Sequence, residues 1–507
     1  MRNNKSATPK AGFCHTLKYI SIFQQGGGGM LAKTDKVHLI GIGGYGMSAL
    51  AKLLLEMGYS VSGSDLAPSD ITRHLEELGA EISIGHHAGN VRGRDVVIYS
   101  TAIPEENDEL RAGKEVGKVL HRSELLAEFI NSGIGIAVTG AHGKTTTTTM
   151  LARIMERGGL DPTALIGGEI QDFSGTARLG KSNYVVAEAD ESDQSFSRYR
   201  PRYAVITNIE ADHLEHYNGS FLELLEGYGI FAANIHAEGL LIIPKEDKWI
   251  GEILSRSRCR KITFGIGSGD YRADNLTLNA LGSQFLLFRG RENLGEVSLN
   301  VPGRHNILNA LAAAAIPTPN SRAMAAAAMA LELGVGIAAL KEALATFEGA
   351  KRRFQILAKH PFMVIDDYAH HPTEIKATLD TAKSIDGGRV VAIFQPHRYT
   401  RTRYFMEDFA NSFAAADVVL IDDIFAASEQ PLPDISAEAL AKKTAACHHG
   451  LVQYLSGRKA IINWVKHHWR PGDIFLTMGA GDISRVGGEL ALFCEQYLAG
   501  KGLVKVE

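Results

Sequence analysis

Four cysteines in 507 residues, Cys14, Cys259, Cys447 and Cys494, lie far apart and form no C-x-x-C pair. That spacing argues against a zinc site or a disulfide framework and fits a chain expected in the reducing cytoplasm. Net charge is also small, −4 in formal terms, with no basic footprint, so no nucleic-acid partner is expected. No apolar run approaches the ~18–20 residues needed to cross a bilayer, and no membrane insertion is expected. The first thirty residues hold one apolar patch, YISIF, too short for a signal-peptide core. They end in QQGGGGM, and the first strand pattern follows Met30. Residues 1–30 are therefore expected to be a disordered tail, or a stretch ahead of a natural start at Met30.

What is present is an ordinary globular composition, 45% hydrophobic and 22% charged, at a length that suggests roughly three domains. A strand pattern, KVHLI, runs into GIGGYGMSALAKLLLEMG, where Gly41, Gly43 and Gly46 form G-x-G-x-x-G ahead of helical apolar spacing. A second strand, YSVSGSD, ends at Asp65. This order of strand, loop, helix, strand and acid is that of a Rossmann-like fold. There, helix N–H groups face a diphosphate and the acid faces a ribose. Glycines that merely allow a tight turn would give the same pattern. The strand VVIYSTAIP carries Ser100 and Thr101 at its end, where open α/β sheets line their ligand crevice.

Near Ile134 the logic repeats. GIAV is a short buried-type strand, and Gly140, Gly143, Lys144 and Thr145 look like a phosphate loop. The usual spacing would put the first glycine at 138, which is Val138. Five threonines, Thr145–Thr149, then open a helix, where a hydroxyl can cap an N–H or ligate a metal. Lys144 would meet the β- and γ-phosphates and Thr145 Mg²⁺. The next strand, in NYVVAEADESD, ends in Glu188, followed by Asp190, Glu191 and Asp193. A carboxylate at such a strand end suits magnesium, although four acids also make a solvated turn. YAVITN leads to Asp212, His213 and His216, and His213 is a candidate metal or phosphate ligand or a structural histidine. From KRRFQIL onward, the strands in FMVIDDYAHHP, RVVAIFQPHRYTRTR, DVVLIDDIFAASE and DIFLTMGAGD alternate with helical stretches, implying another doubly wound sheet. Polar clusters end these strands: Asp366, Asp367, His370 and His371, then His397, Arg398, Arg401 and Arg403. Arginines of this kind suit capture of a carboxylate or phosphate.

The ordered motifs G-x-G-G-x-G-M-S, G-x-H-G-K-T-T, E-A-D-E-S-D, T-N-x-x-x-D-H, G-R-H-N-x-x-N-A, D-D-Y-A-H-H-P-T-E and F-Q-P-H-R-Y-[ST]-R-T-R resemble those of the Mur ligases, over about residues 36 to 490. The resemblance implies an α/β chain of three domains. These would be a Rossmann-like UDP-sugar-binding domain (31–132), a central P-loop ATPase-like domain (133–348) and a C-terminal Rossmann-like amino-acid-binding domain (349–507). It implies that the shortened glycine loop is a true ATP site. It also implies ATP-driven amide formation in the cytoplasm, joining UDP-N-acetylmuramate and L-alanine through an acyl phosphate in peptidoglycan synthesis, by a monomer or homodimer with two Mg²⁺ ions. Carried over by position, Gly140, Ala141, His142, Gly143, Lys144, Thr145 and Thr146 would hold ATP phosphates, with Asn306 and Asn309 at the adenine, Arg353 at a phosphate and Asp367 at the ribose. Thr145, Glu188 and His213 would be metal ligands. Gly43, Gly44, Gly46, Asp65, His86, Ser100 and Thr101 would hold the UDP-sugar. Tyr368, His370, Arg398 and Arg401 would receive the amino acid. The catalytic set is then Lys144, Glu188, His213, His370 and Arg398.

One stretch departs from the pattern. IPTPNSRAMAAAA, about residues 316–328, interrupts a helix after the two asparagines. Pro317 and Pro319 cannot sit in a helix interior without a cost of ~3 kcal/mol or more each, so the segment breaks the helix or loops out. ATP binding is expected to be retained but weakened. Three rivals stay open: a related ligase that attaches a recycled tripeptide to the same sugar nucleotide, a nicotinamide dehydrogenase suggested by Gly41 to Asp65, and a non-catalytic nucleotide-binding protein.

Overall fold

The computed structural model describes residues 30–170, 175–279, 282–313, 335–385, 388–427 and 429–500. The N-terminal extension up to residue 29 and the inserted segment at 316–328 lie outside the described residues. The chain forms two compact units. The first comprises residues up to Asn275 with Phe285–Val297 and Leu308–Thr346; the second comprises Leu276–Gln284, Ser298–Ile307 and the chain from Phe347 onward.

The first unit opens with a five-stranded sheet of β1 (Lys36–Ile40), β2 (Ser60–Asp65), β3 (Glu81–Ile84), β4 (Val96–Tyr99) and β5 (Lys118–His121). Its order is β3-β2-β1-β4-β5, and every pairing is parallel. Parallel strands are covered on both faces, which is why VHLI is buried as a continuous apolar run. Strand order reverses between β1 and β4, so the loop leaving β1 opens at the crevice on the carboxyl edge. That loop feeds helix α1 (Tyr45–Glu56), whose residues Met47 to Leu54 are all buried. Two later helices, α2 (Asp108–Val116) and α3 (Arg122–Ser132), bracket β5.

A ten-stranded sheet follows, made of β6 (Ile134–Thr139), β7 (Thr163–Ile170), β8 (Gly175–Arg178), β9 (Tyr184–Glu188), β10 (Tyr203–Ile206), β11 (Leu240–Pro244), β12 (Arg260–Ile266), β13 (Tyr271–Asn279), β14 (Gly282–Arg289) and β15 (Glu292–Leu299). Strand β6 lies between β10 and β9, all three parallel. Its partners set the register of the site: Val138 is level with Glu188, and Thr139 with Ile206. Helix α4 (Lys144–Arg157) leaves the end of β6, and all of Thr145–Thr149 are buried in it. Helix α5 (Arg304–Ala313) carries Asn306 and Asn309. Strands β11 to β15 follow no pattern singled out in the sequence. In β13 Tyr271 and Ala273 are buried, and beyond Asn275, which has φ +51°, the less exposed positions shift to Leu276 and Leu278, so the buried phase changes along the strand.

The second unit contains a six-stranded sheet of β16 (Gln355–Ala358), β17 (Met363–Asp367), β18 (Val390–Phe394), β19 (Val418–Ile421), β20 (Leu451–Tyr454) and β21 (Ile474–Met478). Its order is β16-β17-β21-β18-β19-β20, with only the β16 edge antiparallel. Neighbouring residues of one strand serve opposite layers. Ile365 packs with Ile375 and Leu379 of helix α6 (Pro372–Lys383), and Val364 packs with Ile461, Val465 and Leu490 on the other face. That is the doubly wound arrangement expected of the third segment. Helix α7 (Tyr399–Tyr404) begins after β18. Among the described residues, no helix is long and apolar enough to cross a membrane.

Candidate active site

The loop after β1 is pinned to β2 at several points. The N–H groups of Gly41 and Ile42 both donate to the Ser64 carbonyl, at 2.8 and 3.0 Å. The Gly43 N–H donates to Asp65 Oδ2 at 2.9 Å, and a Cβ on Gly43 would stand 2.8 Å from that same oxygen. Glycine is thus required for the acid to approach the loop. Gly44 caps α1 with no side-chain hydrogen bond to the helix N–H groups. Gly43, Gly44, Gly46, Asp65 and Ser100 line a cavity of about 690 Å³, and Glu188 and Asp190 line it too. One pocket therefore extends from the first glycine loop to the acids that follow β9.

Two residues expected in this pocket lie elsewhere. His86 Nδ1 is 2.9 Å from Ser64 Oγ and 3.2 Å from Glu109 Oε2. It belongs to a buried network in which Glu109 collects Ser64, Asn90, the His87 N–H and His38. Burial would raise the Glu109 carboxyl, but His38, Ser64 and Asn90 outweigh it and hold it down at about 2. Thr101 Oγ1 lies 3.5 Å from Asp193 Oδ2 and does not line the cavity.

The second loop is built differently. Gly140 and Gly143 have φ of +132° and +80°, a region L side chains rarely adopt. A Cβ on Gly140 would collide with Thr207 Oγ1, and one on Gly143 with Asn309 Oδ1. The end of β10 braces the loop: Asn208 Oδ1 accepts from the His142 N–H at 2.9 Å, and Thr207 Oγ1 donates to the His142 carbonyl at 2.6 Å. His142 Nε2 is 3.4 Å from Glu210 Oε2. Asn309 Oδ1 accepts from Thr147 Oγ1 at 3.4 Å, which places Asn309 against the start of α4. Asn306, one turn earlier, donates to the Pro302 carbonyl at 2.7 Å. Val138 is the last residue but one of β6, so the turn itself begins at Gly140.

Lys144 folds back over this loop. Its Nζ donates to the Gly140 carbonyl at 2.8 Å and to both oxygens of Glu191, at 2.8 and 3.0 Å. Burial would lower this ammonium, but Glu191, Asp190 and Glu188 outweigh it and hold it above its ordinary value. Burial likewise opposes the charge on Asp190, where Lys144, Arg122 and His213 prevail and hold the carboxyl at about 2. Glu188 differs. Burial pushes it up against the Gly167 N–H, the Thr145 hydroxyl and Lys144. A half-buried carboxylate beside a hydroxyl, at the edge of the pocket, is a hard oxygen donor set, so Thr145 and Glu188 fit a magnesium ion. His213 has φ +56°, and its Nε2 is 3.5 Å from Asp212 Oδ2. Thr146 is buried at the start of α4.

In the second unit, Asp367 is buried, accepting the Phe354 N–H at 2.9 Å and the Ala369 N–H at 2.8 Å. Burial raises its carboxyl to about 6. The Arg353 guanidinium lies 5.4 Å from the centroid of the Tyr368 ring and 3.5 Å from Glu374. His370 Nδ1 is 3.0 Å from the Tyr368 carbonyl and 3.3 Å from Glu374 Oε2, two acceptors that place its proton on Nδ1. Arg398 has φ +69° and precedes α7 as its N-cap, its backbone N–H donating to the Phe425 carbonyl at 2.8 Å. Arg401 Nη1 is 3.3 Å from His397 Nδ1, whose ring stacks on Phe425 at 5.6 Å. Arg122, in the pocket of the first unit, was not singled out in the sequence.

Three family models match in series: Mur ligase family, catalytic domain, over residues 36–133; Mur ligase middle domain over 138–316; and Mur ligase, glutamate ligase domain, over 352–481. The UDP-N-acetylmuramate–L-alanine ligase of Symbiobacterium thermophilum is 45% identical over 471 residues, covering 91% of this chain and 95% of that protein. Among solved structures, the UDP-N-acetylmuramate–alanine ligase of Thermotoga maritima is 30% identical with a TM-score of 0.76, over 92% of this chain and 100% of that one. A murein peptide ligase of Psychrobacter arcticus is 26% identical with a TM-score of 0.65, over 90% and 98%. The chain belongs to the Mur ligase family.

Proposed function

We propose that this chain is an ATP-dependent ligase that joins L-alanine to the lactyl carboxylate of UDP-N-acetylmuramate in the cytoplasm. The products are UDP-N-acetylmuramoyl-L-alanine, ADP and phosphate, and the step belongs to peptidoglycan synthesis. The observation that carries this reading is the single pocket from Gly43, Gly46 and Asp65 to Glu188 and Asp190, next to the Lys144 loop. A sugar nucleotide held by the first loop would extend its acid toward a triphosphate held by the second.

A carboxylate is a poor electrophile, so the γ-phosphoryl group is moved onto it first. The alanine amine then attacks the acyl phosphate, a tetrahedral intermediate forms, and phosphate leaves. Both partners are anions, so positioning and charge neutralisation carry the catalysis. Lys144 would exchange Glu191 for the β- and γ-phosphates, and the N–H groups of Gly143 to Thr146 would face them. Thr145 and Glu188 would hold Mg²⁺, which supplies neutralisation of phosphate charge when bound. A second ion at His213 rests on the family resemblance. Asn306, Asn309, Arg353 and Asp367 would contact the nucleotide. Tyr368, His370, Arg398 and Arg401 would receive the amino acid.

The test is phosphate release with ATP, Mg²⁺ and UDP-N-acetylmuramate, supplied in turn with L-alanine and with the preformed tripeptide. Release with alanine is expected. Release with the tripeptide alone would assign the chain to the recycling activity, and release with neither would end the ligase reading.

A further inference from the structure

The pocket must admit a sugar nucleotide with a negatively charged diphosphate, yet carboxylates dominate its charged lining. Among the described residues that line it, Asp65, Glu188 and Asp190 are acidic and Arg122 is the one cation. Backbone N–H groups supply only partial charge, so the electrostatics of entry fall largely on Arg122.

Its position suits the task. Arg122 is the first residue of α3, directly after β5, and its side chain is 17% exposed. On one side, Nη1 stands 3.4 Å from where a Cβ on Gly46 would be, at the first turn of α1. On the other, Nη2 is 3.1 Å from Asp193 Oδ2 and 3.6 Å from Asp190 Oδ2. The guanidinium therefore spans from the first glycine loop to the acids after β9, its planar fork presenting donors in both directions. Asp193 is itself 4% exposed and fixes the fork. A Cβ at 46 would only touch Nη1, so the guanidinium lies in contact range of the first turn of α1.

We propose that Arg122 grips the diphosphate of the sugar nucleotide through Nη1 while Asp193 holds Nη2. The same cation then offsets the acids at the far end of the pocket. This rests on the reading of the pocket as a sugar-nucleotide site and adds the residue that supplies its positive charge. The role is specific to phosphate: Arg122 is assigned neither the uridine nor the lactyl carboxylate.

Calorimetric titration of the full chain with UDP and with UDP-N-acetylmuramate tests this, with uridine followed by ligand-detected NMR as the phosphate-free control. Arg122→Met should weaken both nucleotides by one common factor, on the order of 10- to 100-fold, with uridine unchanged. Arg122→Lys should recover part of the loss. Equal UDP affinity in wild type and variant overturns the proposal, as does a parallel loss of uridine, which would mean general damage to the pocket. A loss confined to UDP-N-acetylmuramate overturns it in favour of the carboxylate. If Arg122→Met fails to fold, Arg122→Lys decides: a smaller loss common to both nucleotides supports the role, and none removes it. A wild-type chain that binds no UDP removes the sugar-nucleotide reading itself, whereas wild-type binding with an unaffected variant removes Arg122 alone.

Discussion

The first unit contains the same local plan twice, a parallel strand that breaks into glycines and restarts as a helix, yet the two loops differ in chemistry. After β1 the loop is held by an acid, with Asp65 taking the Gly43 N–H and Ser64 taking two more. After β6 the loop is crossed by a cation, with Lys144 bonded to the Gly140 carbonyl and paired with Glu191. The glycines serve different ends as well. Gly43 makes room for a carboxylate, whereas Gly140 and Gly143 take left-handed conformations with neighbours too close for a Cβ. One backbone device is thus set against a carboxylate in one loop and an ammonium in the other.

The contrast can be broken most forcefully at the second loop. Lys144→Ala should lower turnover on the order of 10³-fold while leaving UDP-N-acetylmuramate affinity within about twofold, since the two ligands are assigned to separate loops. Parallel loss of both, in turnover assays and calorimetry, would show that the loops are not separable. The first loop is sharpened through its support. Glu109 anchors Ser64, whose carbonyl holds the loop. Its folded pKa of about 2 lies below the ordinary 4.5, so its contribution is present above pH 4.5 and is lost as pH falls through about 2. Glu109→Gln should therefore cost about 3 kcal/mol at neutral pH and progressively less in acid, read from urea unfolding at a series of pH values. A cost that is constant with pH would deny Glu109 its charge. The smallest effect is expected from excising residues 316–328, downstream of Asn309. The ATP Michaelis constant should fall by less than about threefold, because loop-closure entropy grows slowly with length. An unchanged constant and an unchanged melting temperature would mean that the segment is inert.

Both loops were legible because their signals are local: glycine spacing, a following helix pattern, and an acid or lysine at fixed distance along the chain. The strands carrying them were legible for the same reason, as with VHLI in β1 and GIAV in β6. Pairings between distant segments were not. Arg122 enters the pocket from a helix whose sequence, RSELLAEF, reads as an ordinary amphipathic start, and its partners Asp190 and Asp193 lie some seventy residues on. Glu191 was visible as one of four acids, but which of them meets Lys144 depends on how β9 pairs with β6. The partners of His86 were hidden in the same way: it is a polar residue near a strand end that bonds to Ser64 and Glu109. Strands β11 to β15 carried no motif to draw attention to them.

The pairing of Lys144 with Glu191 has a consequence for which guests the loop admits. On the proposed reading, an incoming nucleotide would not meet a waiting charge: it would have to displace Glu191, which holds Lys144 through both of its oxygens. A polyanion would compensate that exchange better than a singly charged ion.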